Sequence, residues 1–468
     1  LADTQQPYRG AEAAPDVERP SQGEVDLLLV DRAVDAVEAE DPSALSDLLE
    51  SLHPADIADI FEQLSNDQLR KAVSLIPGWI DGDVLAELEE NTRALVLEEL
   101  EPHDVARAIA DLDSDDAIEV VEQLDPDARE EVLAASPDTL RAELERGLAH
   151  DEDTVGRLMQ RDFVAAPDFW SVGDAIDHMR EAGERLPELF FELYIVGPDF
   201  KPVGEIPVSR LLREPRDKSL SELMQPPPVL IPPEMDQEEA AFLFQKYHLI
   251  SAPVVDEAGR LTGMLTVDDM VDVIQEENKE DMLALAGVSE AGLSHTVLES
   301  VRSRAPWLLL NTVTAVLAAF VISLFSNTIE QVVALAFLMP VVASMGGNTG
   351  TQSLAVAVRA IAARELTSTN ARRIVLRELF TGLVNGLIFA AVLGVVAVLW
   401  QGMWELGLVI AAAMIINLTC AGLSGILVPL ALKRVGADPA VASSIFVTAV
   451  TDVVGFFAFL GLATMVLL

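Results

Sequence analysis

Two regimes of hydrophobic patterning divide the chain near residue 300. Before that point apolar residues recur at spacings of three and four or in short alternating runs, and after it they run almost unbroken. In the first regime "LHPADIADIFEQL" (Leu52–Leu64) recurs as "LEPHDVARAIADL" (Leu100–Leu112), 48 residues later. That spacing predicts amphipathic helices, with Pro54 and Pro102 in first turns, where a missing N–H costs nothing. Residues 26–150 therefore read as an all-α superhelical domain. Residues 1–25 are polar, contain Pro and Gly, and are expected to be disordered. A start at Leu1 implies a native start that is missing or removed, and "LADTQQPYRG" has no signal-peptide core.

From residue 151 the pattern turns to α/β, again as a repeat. "LMQRDFVAAPDFWSVGDAIDHM" from Leu158 is echoed by "LMQPPPVLIPPEMDQEEAAFLF" from Leu223, and "YIVGPDFKPVG" from Tyr194 by "PVVDEAGRLTG" from Pro253. Each unit runs strand, helix, strand, turn, strand, helix. The two units, 151–217 and 218–277, resemble a tandem CBS pair, a module that often binds adenine nucleotides. In the second, "GMLTVDD" supplies Gly263, Thr266 and Asp269, which match the ribose-contacting pattern Gly-x-x-Thr-x-x-Asp. The first has Pro207 and Arg210 at the Thr and Asp positions, so one nucleotide site at most is intact, and a weak one. Residues 278–303 are expected to form a connecting helix.

Residues 304–468 hold five stretches long enough to cross a bilayer, which takes about 20 apolar residues. They are Ala305–Ile329, Gln331–Val358, Leu379–Trp404, Leu406–Leu432 and, interrupted once, Pro439–Leu468. Basic residues alternate strictly between the links. Arg302 and Arg304 precede the first span. Arg359, Arg364, Arg372, Arg373 and Arg377 follow the second, and Lys433 and Arg434 follow the fourth. The other two links carry only Glu330 and Glu405. By the positive-inside rule the N-terminal part is cytoplasmic and the C-terminus extracytoplasmic, as in a multi-pass protein of a prokaryotic inner or plasma membrane.

Charge sharpens this division. The net charge is −45. Residues 1–303 carry 23 basic and 70 acidic side chains, whereas the remainder carries eight and six. Nucleic acid is excluded as a partner, because phosphate binding needs a basic face. Divalent cations fit, since hard cations prefer carboxylate oxygens. A lysine-poor acidic surface equally suits a salty cytosol, and six lysines are present. The single cysteine, Cys420, excludes an internal disulfide framework and a multi-cysteine zinc site.

The candidate chemistry lies in two places. Asp452, in "FVTAVTDVVGFFAFLG", is the ionisable residue deep in a span, where a carboxylate usually marks an ion path. The second span contains "PVVASMGGNTGTQSLAVAVRA", in which Gly346, Gly347 and Gly350 permit close helix approach or a break that turns carbonyls toward water. Asn348, Thr351 and Gln352 add neutral oxygens suited to a hydrated cation, and Mg²⁺ dehydrates reluctantly. In the cytoplasmic half, Asp269, Asp272, Glu276 and Glu280 share one helical face. Their mutual repulsion calls for a counter-ion or for plain solvation.

This order of parts, with "GGNTGTQS" (Gly346–Ser353), "KRVGADPA" (Lys433–Ala440) and "TDVVGF" (Thr451–Phe456), resembles the MgtE family of magnesium channels. The resemblance runs from about residue 30 to the end. It implies a homodimer in a lipid bilayer, with a pore between protomers for hydrated Mg²⁺. Asp452 would face its symmetry mate, assisted by the carbonyl of Thr448 and by the segment holding Gly346, Gly347, Asn348 and Thr351. It further implies Mg²⁺ bridging the helical domain, through Asp83, Asp115 and Glu119, to Glu238, Asp269, Asp272, Glu277, Glu280 and Asp281, which closes the channel. Enzymatic activity is not expected. His248 departs from an expected acidic ligand, Ser444–Ile445 from an Asn-Pro or Gly-Pro pair, and Ser209–Arg210 from the Arg-Asp pair tied to ATP, so nucleotide regulation is expected to be weak or absent. A channel for Mn²⁺, Co²⁺ or Ni²⁺, and a CBS membrane sensor that passes no ions, remain the alternatives.

Overall fold

The computed structural model describes residues 27–183, 186–187, 189–286, 288, 297–366, 369–435, 439 and 443–468. The segment expected to be disordered, residues 1–25, lies outside them. Two compact units divide the chain, one ending at Val271 and the other beginning at Asp272.

Among the described residues, the first unit opens with ten α-helices. They are α1 (Leu27–Glu38), α2 (Pro42–Leu49), α3 (Pro54–Gln63), α4 (Asn66–Leu75), α5 (Gly82–Glu87), α6 (Glu90–Glu99), α7 (Pro102–Ala108), α8 (Ser114–Glu122), α9 (Pro126–Ala135) and α10 (Asp138–Gly147). Pro54 and Pro102 open α3 and α7, as the repeat requires. One apolar core runs through these helices, from Ala33 to Leu144. The helix ends are tied by a recurring device. Arg93 donates to the carbonyls of Leu88 and Ala86, Arg129 to those of Leu124, Glu122 and Val121, and Arg141 to those of Ser136, Ala134 and Leu133. Each guanidinium thus reaches back to its own fifth and seventh predecessors, satisfying carbonyls that the preceding helix leaves open at its C-terminus.

The CBS region follows with α11 (Val155–Leu158), β1 (Ala165–Pro167), α12 (Val172–Ala182), β2 (Glu192–Val196), β3 (Pro202–Pro207), α13 (Val208–Leu211), α14 (Leu220–Leu223), α15 (Gln237–Tyr247), β4 (Ser251–Val255) and β5 (Leu261–Thr266). β2 pairs parallel with β1 and antiparallel with β3, whereas β4 and β5 form an antiparallel pair. The first strand expected in the second unit shrinks to a single bridge, Ile231 to Val254. Its segment, "PPPVLIPPEM", is rich in proline, which cannot donate to a ladder. Tyr194, Val196, Leu261 and Met264 share one buried cluster, so both halves contribute to a common core.

The helix α16 (Val267–Ala286) leads into the second unit, where Ala284 is buried with Leu354, Val358 and Val447. Next come α17 (Val297–Ser323), α18 (Ser326–Gln331), α19 (Ala334–Ala362), α20 (Ala371–Gln401), α21 (Trp404–Arg434) and α22 (Ser443–Leu467). Of the segment expected as one connecting helix, 278–303, the first part is the end of α16 and the last part the start of α17, while residues 287 and 289–296 lie outside the described residues. α17 carries Pro306 inside it and stops at Ser323, short of the expected Ile329. Among the described residues, four helices, within α17 and at α20, α21 and α22, are apolar enough to cross a membrane by length and composition. α19 has the length, but its glycines, Asn348 and Gln352 dilute the apolar run.

Candidate ion sites

α19, α21 and α22 pack through small residues. Gly346 lies against the side chain of Asn417, Gly350 against Val447 and Thr451, and Gly425 against Ser353 and the Gly350 carbonyl. Gly455 lies on Asn417 as well, so that one carboxamide is wedged between α19 and α22. Asn417 is fully buried, and its Nδ2 donates to the Val342 carbonyl at 2.8 Å, while its Oδ1 has no hydrogen-bond partner. Of the two roles expected of the glycines, close helix approach and a break, the structure shows the first: α19 is continuous across Gly346, Gly347 and Gly350. Their missing Cβ atoms admit neighbouring helices, and that packing outweighs the weak helix propensity of glycine.

Asp452 lies mid-way along α22, half-buried, between fully buried Thr451 and buried Gly455. Among the described residues it has no ion-pair or hydrogen-bond partner. The Thr448 carbonyl one turn earlier lies within α22 and accepts from the Thr451 hydroxyl at 2.9 Å, in addition to its place in the helical ladder. Gly347 is half-buried, whereas Asn348 and Thr351 are exposed on α19, and the Thr351 hydroxyl donates to the Gly347 carbonyl at 3.0 Å. Sequence reasoning passed over Asn417, and also over Glu378, a buried carboxylate of α20 that accepts from Ser353 at 3.2 Å and pairs with Arg377 at 3.3 Å.

The second cluster joins the helical domain to the CBS region. α8 carries Asp115, Asp116 and Glu119, and the first turn of α16 carries Asp268 and Asp269. Burial lifts Asp115 well above the usual carboxylate range, and the charge of Asp269 lifts it further. Burial likewise raises Asp116 to about 7, aided by Glu119, and Asp269 to about 7. Asp115 Oδ1 is buried without a hydrogen-bond partner. Neighbouring contacts hold the domains in register: the Arg161 N–H donates to the Ser114 hydroxyl at 2.9 Å, and Arg157 pairs with Glu122 at 3.2 Å.

The remaining expected ligands are more scattered. Asp83 is exposed near the start of α5, and Glu238 is exposed in the first turn of α15. Glu119 is exposed and pairs with Arg93 at 2.7 Å. Asp272, Glu277, Glu280 and Asp281 lie further along α16. His248 ends α15 in the left-handed conformation, a capping position rather than one open to any residue. Among the described residues, no group of three or more His, Cys, Asp or Glu side chains converges on a single point. The Asp115–Asp269 approach still fits a hard divalent ion, because it offers desolvated carboxylate oxygens and an unsatisfied acceptor. Of the nucleotide pattern, the Thr266 hydroxyl donates to Asp269 itself. Asp269 thus serves Thr266 and the acidic cluster together.

A helical domain, a CBS region and several apolar helices, one of them carrying Asp452 mid-way along it, are the layout of a multi-pass membrane protein. Residues 339–462 match the MgtE family, described as a divalent cation transporter; residues 52–153 match the MgtE intracellular N domain and residues 220–276 the CBS domain. The chain is 32% identical over 440 residues to the magnesium transporter MgtE of Thermus thermophilus, covering 92% of this chain and 97% of that one. It is 29% identical over 419 residues to the magnesium transporter MgtE of Bacillus subtilis, covering 89% and 92%. A crystal structure of the cytosolic domain of the Mg²⁺ channel MgtE in complex with ATP aligns at 27% identity and a TM-score of 0.48, over 52% of this chain and 99% of that one. The chain belongs to the MgtE family.

Proposed function

We propose that this protein is a Mg²⁺-selective channel, itself gated by Mg²⁺, that conducts the hydrated ion along a homodimer axis. The observation that carries the reading is Asp452, an intramembrane carboxylate without a partner among the described residues, on a helix packed against the glycine face of α19. A carboxylate in that setting needs either a proton or a cation, and the magnesium transporters to which the chain is similar point to the cation. Asp452 from two protomers would hold an ion through its water shell, with the Thr448 carbonyl and the polar stretch from Gly346 to Thr351 nearby. Homodimerisation and a cytoplasmic N-terminus belong to this proposal; the arginine-rich links support the orientation.

Gating follows from the acidic cluster. Mg²⁺ supplies positive charge where Asp115, Asp116, Asp268 and Asp269 otherwise repel, so high cytoplasmic Mg²⁺ favours the docked arrangement of the helical and CBS domains. Asp83, Glu119, Glu238, Asp272, Glu277, Glu280 and Asp281 are proposed as further ligands along the same route.

Mg²⁺ uptake into proteoliposomes tests the channel directly, comparing the wild type with Asp452→Ala. Uptake that the substitution abolishes or de-selects, with the oligomer intact, supports the pore. Equal uptake by both proteins removes Asp452 from the ion path, and no uptake by either points to a sensor that passes no ions.

A further inference from the structure

We infer that the cleft between the C-terminal end of α19 and the N-terminal end of α20 binds an anionic phospholipid, its phosphate held by Arg359 and Arg373. The cleft has a volume of about 810 Å³, and Ile426 of α21 also lines it. Its apolar walls include Val356 and Ile374, and three arginines, Arg359, Arg373 and Arg377, line it against one carboxylate, Glu365. Arg377 already pairs with Glu378 at 3.3 Å. Arg359 and Arg373 have no ion-pair partner among the described residues. Two like charges facing one cavity are relieved by a shared anion, and a guanidinium fork matches phosphate oxygens with two parallel hydrogen bonds.

The surroundings favour a lipid over a free anion. Val356, Leu376 and Phe380, next to these arginines on the same two helices, are large apolar side chains exposed by 42–60%. They begin the apolar length of α19 and α20, so an acyl chain can lie along them while the headgroup sits among the arginines. Basic pockets between transmembrane helices are a recurrent form of headgroup recognition. Which leaflet supplies the lipid rests on the orientation proposed above; the binding itself does not.

The test uses the full-length protein in detergent, titrated with phosphatidylglycerol or with phosphatidylcholine of the same chains, and read by native mass spectrometry. The wild type should retain one phosphatidylglycerol per protomer with a preference of roughly tenfold over phosphatidylcholine. Arg359→Gln with Arg373→Gln should bring that preference close to one. Arg372→Gln, exposed on α20 and outside the cleft, should leave it unchanged. Val356→Trp, which obstructs the apolar wall but keeps the charges, should weaken retention of the lipid. Equal retention of the two lipids by the wild type, or an unaltered preference in the double variant, overturns the inference. Displacement of the lipid by inorganic phosphate alone overturns it in favour of a free-anion site. Cross-linking between copies through Val356→Cys, in a Cys420→Ser background, overturns it in favour of a second protomer. Lipid preference without Mg²⁺ uptake would leave this site standing while removing the channel reading.

Discussion

Gly346 of α19 lies directly against the carboxamide of Asn417 of α21, and a Cβ on that glycine would overlap it. Asn417 cannot swing aside freely, since its Nδ2 is bonded to the Val342 carbonyl and Gly455 closes its other flank. Gly346→Ala should therefore destabilise the membrane unit by about 1–3 kcal/mol through overpacking. A lower thermal midpoint in detergent checks this; an unchanged one means the contact is loose. Gly347→Ala, where a Cβ meets nothing within 4 Å, is the matched control.

Arg93 is the most deeply placed of the guanidiniums that reach back onto helix ends, with 4% of its side chain exposed, against 34% for Arg141. Its loss strands the Leu88 and Ala86 carbonyls and removes the ion pair with Glu119. Arg93→Ala should cost about 3 kcal/mol, and Arg141→Ala clearly less. Urea unfolding of the two variants gives the comparison, and equal midpoints would count against a graded role for burial.

Glu205 gives the CBS region a pH dependence. Burial, and then the charge of Glu192, push its carboxyl up to about 7 from an ordinary value near 4.5. The folded state therefore binds this proton more tightly than the unfolded chain. Its contribution to stability is full below about pH 4.5 and is lost as pH rises toward 7. Glu205→Gln should flatten the fall of the thermal midpoint across that window. Glu192, also raised by burial but bonded to Ser251 at 2.6 Å, adds a smaller slope in the same direction.

If Mg²⁺ relieves the repulsion between Asp115 and Asp269, neutralising both should mimic it. Asp115→Asn with Asp269→Asn should protect the cytoplasmic region from protease whether or not millimolar Mg²⁺ is present. The wild type should need the ion for the same protection. Cleavage of the wild type that ignores Mg²⁺ would reduce the cluster to solvated surface charge.

The helical domain, the CBS repeat and the apolar helices were legible because each follows from a period or a run: three-to-four spacing, a repeated strand–helix–strand pattern, a charge-free stretch. Asp452 was legible as a single charge against an apolar background. Asn417 was not, since one amide in an apolar run has no periodic signature and its role depends on glycines of two other helices. The approach of Asp115 to Asp269 was legible through the family resemblance alone, since the two are remote in sequence and obey no spacing rule. At the glycine stretch, close approach and a break could not be told apart, because propensity is local, whereas Gly346 and Gly350 answer to helices that pack from outside.

The guanidiniums that tie the helical domain together have a consequence for its appetite for cations. The first 303 residues hold only 23 basic side chains against 70 acidic ones, and Arg93, Arg129 and Arg141 point theirs at backbone carbonyls. Positive charge committed to the scaffold cannot fully neutralise the carboxylates around it. The domain thereby stays rigid and undercompensated at once, and the missing counter-charge has to be recruited from solution, where its supply can vary.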